Sequence, residues 1–318
     1  VAAAPASASA ACTVYVVNGG DTSVSVIDAA TNAVTATIPL GDFSVGVAVA
    51  PSGTVYVAKN AANAVAVIDG ATNTVTTTVP VGTGPSFLAV APSGDVYVAN
   101  GSDDSVSVID GATNTVTATI PTGSQPSGVA VSPSGKVYVA ESGSDTVAVI
   151  DSVTNIVTPI PVGIQPVDVA VSASGTVYVT NSNDGTVSVI DGATNTVTAT
   201  ITVGATPYGL EVSASGKIFV ANNGDNTVSV IDGATNTVTA TIPVGAGPFG
   251  VAVWSGTIYV TNSGATTVSV IDGATNTVTQ TITVGAGPIG VAACPSTPPP
   301  GPTPEPPGPA PVPPAFTG

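Results

Sequence analysis

The 318-residue chain contains no histidine, no arginine and no methionine, and its only cationic side chains are Lys59, Lys136 and Lys217. Each absence removes a class of chemistry. Without histidine there is no Ser-His-Asp or Cys-His triad, no H-E-x-x-H zinc site and no imidazole acid–base catalyst. With three lysines against 19 Asp and Glu, the net charge is −16. Such a surface cannot neutralise a run of phosphates, which excludes nucleic acid and disfavours anionic membranes. Charged residues make up 7% of the chain, against roughly a quarter in an ordinary soluble domain. No apolar run approaches the roughly 18 residues of a membrane-spanning helix. A conventional enzyme is a poor reading of this composition.

What is present is a 43% hydrophobic fraction, with 36 Gly and 28 Pro. That is enough apolar material for a large core. The ends read differently from the middle. Residues 1–11 are small and uncharged, and Ala8-Ser9-Ala10 has the A-x-A form of a signal-peptidase site. They are expected to be a signal-peptide remnant or a flexible leader. Residues 295–318 hold 12 prolines in 24 positions, the composition of an extended polyproline spacer. The terminal Pro314-Ala315-Phe316-Thr317-Gly318 resembles a sortase sorting signal, with Pro where Leu is expected. The resemblance implies cell-wall attachment through Thr317.

Between these ends the sequence repeats itself. Val-Ile-Asp followed by x-x-Thr-Asn occurs seven times, with its Asp at Asp28, Asp69, Asp110, Asp151, Asp191, Asp232 and Asp272. The successive spacings are 41, 41, 41, 40, 41 and 40 residues. The copy at residues 127–163 carries four runs of apolar alternation, GVAVS, KVYVA, TVAVID and IVTPI, separated by Ser/Pro/Gly/Asn turns. Val, Ile, Thr and Tyr at period two mark strands, and no stretch has a helical period. Four antiparallel strands per unit of about forty residues predict an all-β fold, a seven-bladed β-propeller. VYVAN or VYVTN, then VSVID, ATNTVTATIPVG and P-x-GVAVSPSG resemble the YVTN-type, YncE-like propeller repeat over nearly all of residues 13–294. The resemblance implies a secreted, periplasmic or surface protein.

The propeller is expected over residues 12–295, as one domain. Residues 13–38 supply only the second, third and fourth strands of a blade, and the missing innermost strand is GVAAC at 290–294. One blade is therefore shared between the two ends of the ring. Aligned on the complete copies, Cys294 takes the first position of the inner hairpin turn and Cys12 the fourth. A type I turn holds those two Cα atoms within about 7 Å, which suits a disulfide.

The seven repeated Asp residues end the third strand, where an Asp side chain accepts turn N–H groups. Function is expected where the repeats differ. At the lip of the ring, after the loop Pro or its equivalent, stand Val45, Ser86, Ser127, Val167, Tyr208, Phe249 and Ile289. Tyr208, Phe249 and Ile289 make one apolar arc, able either to stack a sugar or peptide or to plug the channel. Asp168 stands where Gly is usual, and Glu211 where Ala is usual. Both are candidate channel carboxylates, either simply solvated or ligands for Ca²⁺. Asp103 and Asp104 lie on a loop of the ligand-bearing face. No catalytic residue and no cofactor is assigned, and Ca²⁺ is the one metal weighed.

The preferred reading is a secreted or wall-attached, monomeric, non-enzymatic module that binds a glycan, a protein or a cell-wall polymer. One alternative is a metal-dependent lactonase- or lyase-like propeller enzyme using the channel carboxylates. Streptogramin lyases have similar repeats but rely on His, so no active site carries over to this chain. The other alternative is a structural surface-layer component.

Overall fold

The computed structural model describes residues 12–294. The leader, the Pro-rich spacer and Thr317 lie outside the described residues. Among the described residues, twenty-eight strands form seven separate four-stranded antiparallel sheets. Six are contiguous in sequence: Val47–Pro80 (blade 1), Pro85–Pro121 (2), Pro126–Pro161 (3), Pro166–Thr202 (4), Pro207–Pro243 (5) and Pro248–Thr283 (6). Blade 7 joins the innermost strand Pro288–Ala293 to Thr13–Asn18, Ser23–Asp28 and Ala33–Pro39. The ring therefore closes with three strands from one end of the repeat array and one from the other, as the repeat phase predicts.

The second and third strands of each blade are buried on both faces, as in Val96–Asn100 and Ser105–Asp110 of blade 2. Each apolar layer lies between neighbouring blades. One cluster, for example, packs Tyr97, Ala99, Val106 and Val108 of blade 2 against Val137, Val139, Ala148 and Ile150 of blade 3. Seven such layers run round the ring. At four joints the hydroxyl of the repeated tyrosine (Tyr15, Tyr56, Tyr138 and Tyr259) donates to a turn carbonyl of the next blade, as from Tyr15 to Gly70 O (3.4 Å) and from Tyr138 to Gly192 O (3.4 Å). In blade 5 the tyrosine is Phe219, and Lys217 Nζ supplies the missing donor to Gly273 O at 2.7 Å.

Both 40-residue spacings have a local cause. In most blades the fourth strand bulges, and a threonine hydroxyl at the bulge donates to the third strand, as from Thr117 to Val108 O at 3.3 Å. Blade 3 has lost that residue: Thr146–Ile150 and Val157–Pro161 pair without a register shift. Blade 6 instead shortens its inner hairpin to Ser255-Gly256, with φ of 48° and 84°. Two consecutive positive φ values define the tight hairpin turn that suits twisted strands.

At the closure, Cys12 and Cys294 form a disulfide with a Cα–Cα distance of 5.5 Å. In blade 3 the corresponding turn is held by Gly135 N donating to Ser132 O at 2.9 Å and Ser132 N to Lys136 O at 2.8 Å. Cys294 N donates to Thr13 O at 3.0 Å. The covalent bond stands where the peptide chain of an ordinary turn would run.

Candidate functional site

The repeated acids are turn formers. Asp110 Oδ1 accepts Ala112 N (2.8 Å) and Thr113 N (2.9 Å), and Asn114 N closes the turn on Asp110 O at 2.7 Å. Asn114 has φ 55°, a left-handed conformation that Asn tolerates better than most residues. Hydrogen bonds from the turn backbone hold the carboxyls of Asp28, Asp69, Asp110, Asp151 and Asp272 below their ordinary values.

The loop acids fasten the connectors that carry the chain from one blade to the next. Asp103 accepts Thr83 N from the connector entering blade 2, and Asp104 accepts Gln125 N (2.8 Å) from the connector leaving it. Asp145 takes Gln165 N at 2.8 Å, and Asp225 takes Ala205 N at 2.6 Å. Glu141, the last residue of strand Val137–Glu141 in blade 3, is buried. It occupies the place of Asn18, Asn100, Asn181, Asn222 and Asn262, each of which donates to two hydroxyls of the third strand. Its carboxylate accepts Gly123 N at 2.6 Å and the Thr146 hydroxyl. In blade 1 that position is Lys59, paired with Asp42 at 2.8 Å.

These connectors form one face of the ring, and that face has two unlike sectors. Over blades 5 and 6 it is aromatic: Tyr208 and Phe249 stack with ring centroids 4.7 Å apart, and Phe249 stacks on Phe87 of blade 2 at 6.3 Å. The arc thus reaches across the ring through Phe87, which lip positions alone do not reveal. Its sequence signal is Phe-Leu-Ala-Val where other blades read Gly-Val-Ala-Val or close variants. Ile289 leans instead on Gly19 beside Phe43, since a Cβ built on Gly19 would lie 2.7 Å from Ile289 Cδ1. Over blades 1 to 3 the face is polar. A cleft of about 540 Å³ is lined by Asn60, Ser86, Ser102, Asp104, Gln125 and Ser127 among others.

Below the aromatic arc lies a partly open cavity of about 120 Å³ whose lining includes Phe87, Asp168 and Glu211 amid Val, Leu and Gly. Beneath it a wider cavity of about 370 Å³ occupies the hairpin end of the channel, lined by Val and Ala with Glu211 as its one acid. The structure brings Asp168 and Glu211 together here. Asp168 Oδ2 accepts Leu210 N of the next blade at 3.1 Å and Oδ1 accepts Val169 N at 2.9 Å, while Glu211 Oε1 accepts Val212 N at 3.1 Å. Burial pushes the Asp168 carboxyl up to about 6, against the lowering effect of its two backbone bonds. Burial, reinforced by the Asp168 charge, pushes Glu211 up to about 7. No group of three or more His, Cys, Asp or Glu side chains is placed to hold a metal among the described residues.

Seven four-stranded blades around an axial channel, closed by a shared blade, define a seven-bladed β-propeller. A family model for the YncE-like β-propeller matches residues 81–172 and 156–252, more than half of the chain. The chain belongs to the YncE-like β-propeller family. Among solved structures it is similar to hydrazine synthase of Kuenenia stuttgartiensis, at 25% identity and TM-score 0.73, over 78% of this chain and 89% of that one. A functionally unknown protein from Desulfotomaculum acetoxidans aligns at 16% identity and TM-score 0.78, over 90% of this chain and 99% of that one. Virginiamycin B lyase from Staphylococcus aureus aligns at 12% identity and TM-score 0.67, over 82% and 85%. No curated protein matches the sequence. No helix among the described residues is long and apolar enough to cross a membrane.

Proposed function

We propose that this propeller works outside the cytoplasm as a non-enzymatic binding module whose connector face takes a neutral glycan. The observation that carries this reading is the pairing, on one face, of a hydroxyl- and amide-lined cleft of about 540 Å³ with the stacked Tyr208–Phe249 pair. Sugars present hydroxyls to be hydrogen-bonded and apolar C–H faces to be stacked, and aromatic rings supply rigid stacking surface at small entropic cost. The cleft volume falls within the range of small-ligand sites. The ring-closing disulfide supports an oxidising compartment, and the absence of His and Arg supports a binding role over acid–base catalysis. Attachment to the wall through the Pro-rich spacer and Thr317 belongs to the same proposal.

The test is a glycan array that includes cell-wall polymers, followed by titration of any hit against Tyr208→Ala, Phe249→Ala and Gln125→Ala. Saturable binding that falls about tenfold or more in these variants, at unchanged melting temperature, supports the reading. A bare array, or a hit indifferent to all three substitutions, refutes it.

A further inference from the structure

One steric rule governs the innermost strand, and it is broken twice. Five blades place glycine at the same position: Gly46, Gly128, Gly209, Gly250 and Gly290. A Cβ there would press on the next blade, 2.5 Å from Ser86 O at Gly46, 2.4 Å from Phe249 O at Gly209 and 2.3 Å from Val45 O at Gly290. Real Cβ contacts are not that short, so a side chain at this position requires the neighbouring strand to shift. The remaining two blades carry Phe87 and Asp168. Both side chains line the 120 Å³ cavity, together with Glu211, which replaces the alanine of the other six blades. Three departures from the repeat thus converge from blades 2, 4 and 5 on one space.

Among the described residues no cation faces these acids. Lys59 pairs with Asp42, Lys136 Nζ donates to Gly192 O at 2.7 Å and Lys217 Nζ to Gly273 O at 2.7 Å, each away from the channel. Two carboxylates between hydrocarbon walls call for a positive partner. A Ca²⁺ ion takes six to eight oxygen ligands, and the lining beyond Asp168 and Glu211 is Val, Leu, Gly and Phe87. An organic ammonium group has its charge spread over an apolar surface. It is satisfied by a few carboxylate oxygens and by aromatic and aliphatic contact. A carboxylate has about four acceptor sites. Asp168 spends two on Val169 N and Leu210 N, and Glu211 Oε2 takes no hydrogen bond from the described residues.

We propose that the channel cavity beneath Phe87 binds a small alkylammonium group, held by Asp168 and Glu211 and packed against Phe87 and the surrounding valines. The stacked rings of Phe87, Phe249 and Tyr208 stand over the connector face. The ligand therefore enters from the hairpin face, through the 370 Å³ cavity whose Val and Ala walls lead to Glu211. The site is separate from the glycan cleft and does not depend on it.

The experiment is calorimetric titration of the whole chain at pH 8 with tetramethylammonium and choline. Two controls accompany it: 3,3-dimethylbutan-1-ol, the uncharged isostere of choline, and calcium chloride. Both ammonium ions are expected to bind saturably, and the alcohol at least about tenfold more weakly. Asp168→Asn with Glu211→Gln is expected to abolish cation binding. Phe87→Gly, which restores the residue the repeat normally carries, is expected to weaken it about tenfold while leaving the melting temperature no lower. No heat from either ammonium ion up to about 10 mM, equal binding of the alcohol, or binding unchanged in the double variant overturns the proposal. So does calcium binding that the double variant removes while ammonium binding is absent. Array hits measured on the double variant report the glycan cleft alone, so failure of one reading is read apart from failure of the other.

Discussion

Replacing both Cys12 and Cys294 by serine is expected to lower the melting temperature by about 9 °C without opening the ring. The bond joins residues 282 apart in sequence. In the chain-entropy treatment a loop of that length restrains the unfolded state by about 5–6 kcal/mol at 25 °C. Unfolding entropy near 2.1 cal/mol/K per residue over about 280 residues gives about 0.6 kcal/mol per degree, hence the shift of about 9 °C. The folded ring keeps its closure, because Val14, Tyr15 and Val16 remain paired with Ala293, Ala292 and Val291. The assay is thermal melting of the double variant beside the oxidised protein, together with urea unfolding. If the bond acts through the unfolded state, the urea m-value rises as well, since the unlinked chain exposes more surface when it unfolds. A melting temperature within about 2 °C of the parent, with unchanged m, refutes the reasoning.

The channel acids also make stability depend on pH. Their folded values lie above ordinary carboxylate values, near 6 for Asp168 and near 7 for Glu211. The folded state therefore holds protons that the unfolded state has released, and their stabilising effect is full below about pH 4 and lost as pH rises through about 7. Asp168→Asn with Glu211→Gln should accordingly melt higher than the parent at pH 8, and this advantage should vanish at pH 4; equal pH profiles for the two proteins contradict the assignment. Gly290→Ala places a Cβ 2.3 Å from Val45 O, and the required shift should destabilise the ring by about 1–3 kcal/mol. Denaturant titration reads that loss directly, and an unperturbed Gly290→Ala would show that the innermost strands are not in close contact.

Much of the architecture was legible because it is written in local patterns repeated seven times. Period-two alternation gives the strands, and Asp28-x-x-Thr31-Asn32 and its copies give the turns, since an Asp side chain and a left-handed Asn suffice to build one. The phase of the repeats gives the 3+1 closure and, with it, the disulfide. Less legible were the residues that depart from the repeat. Phe87 is hidden in the sequence because the lip residue that follows the connector proline is Ser86, one position earlier. Glu141 stands at the end of a strand before a polar turn, yet it is buried in place of an asparagine and accepts from the Thr146 hydroxyl and Gly123 N where the asparagines donate to two hydroxyls. Asp103 and Asp104 read as exposed candidates for ligand contact, and their carboxylates turn out to be engaged by connector backbone N–H groups from blades on either side.

The sequence alone therefore determined the units, their number and how the ring is closed, because each depends on contacts within about forty residues or on the register of one repeat against the next. Only the tertiary structure decided which departures meet. Closing seven blades brings the innermost strands of all of them to a single axis, so Phe87, Asp168, Glu211 and Phe249, from four different blades, become neighbours. That proximity is set by ring geometry, which no spacing along the chain encodes. The same closure explains why glycine fills, in five blades, the position that Asp168 holds in blade 4: there the neighbouring backbone occupies the space of a Cβ.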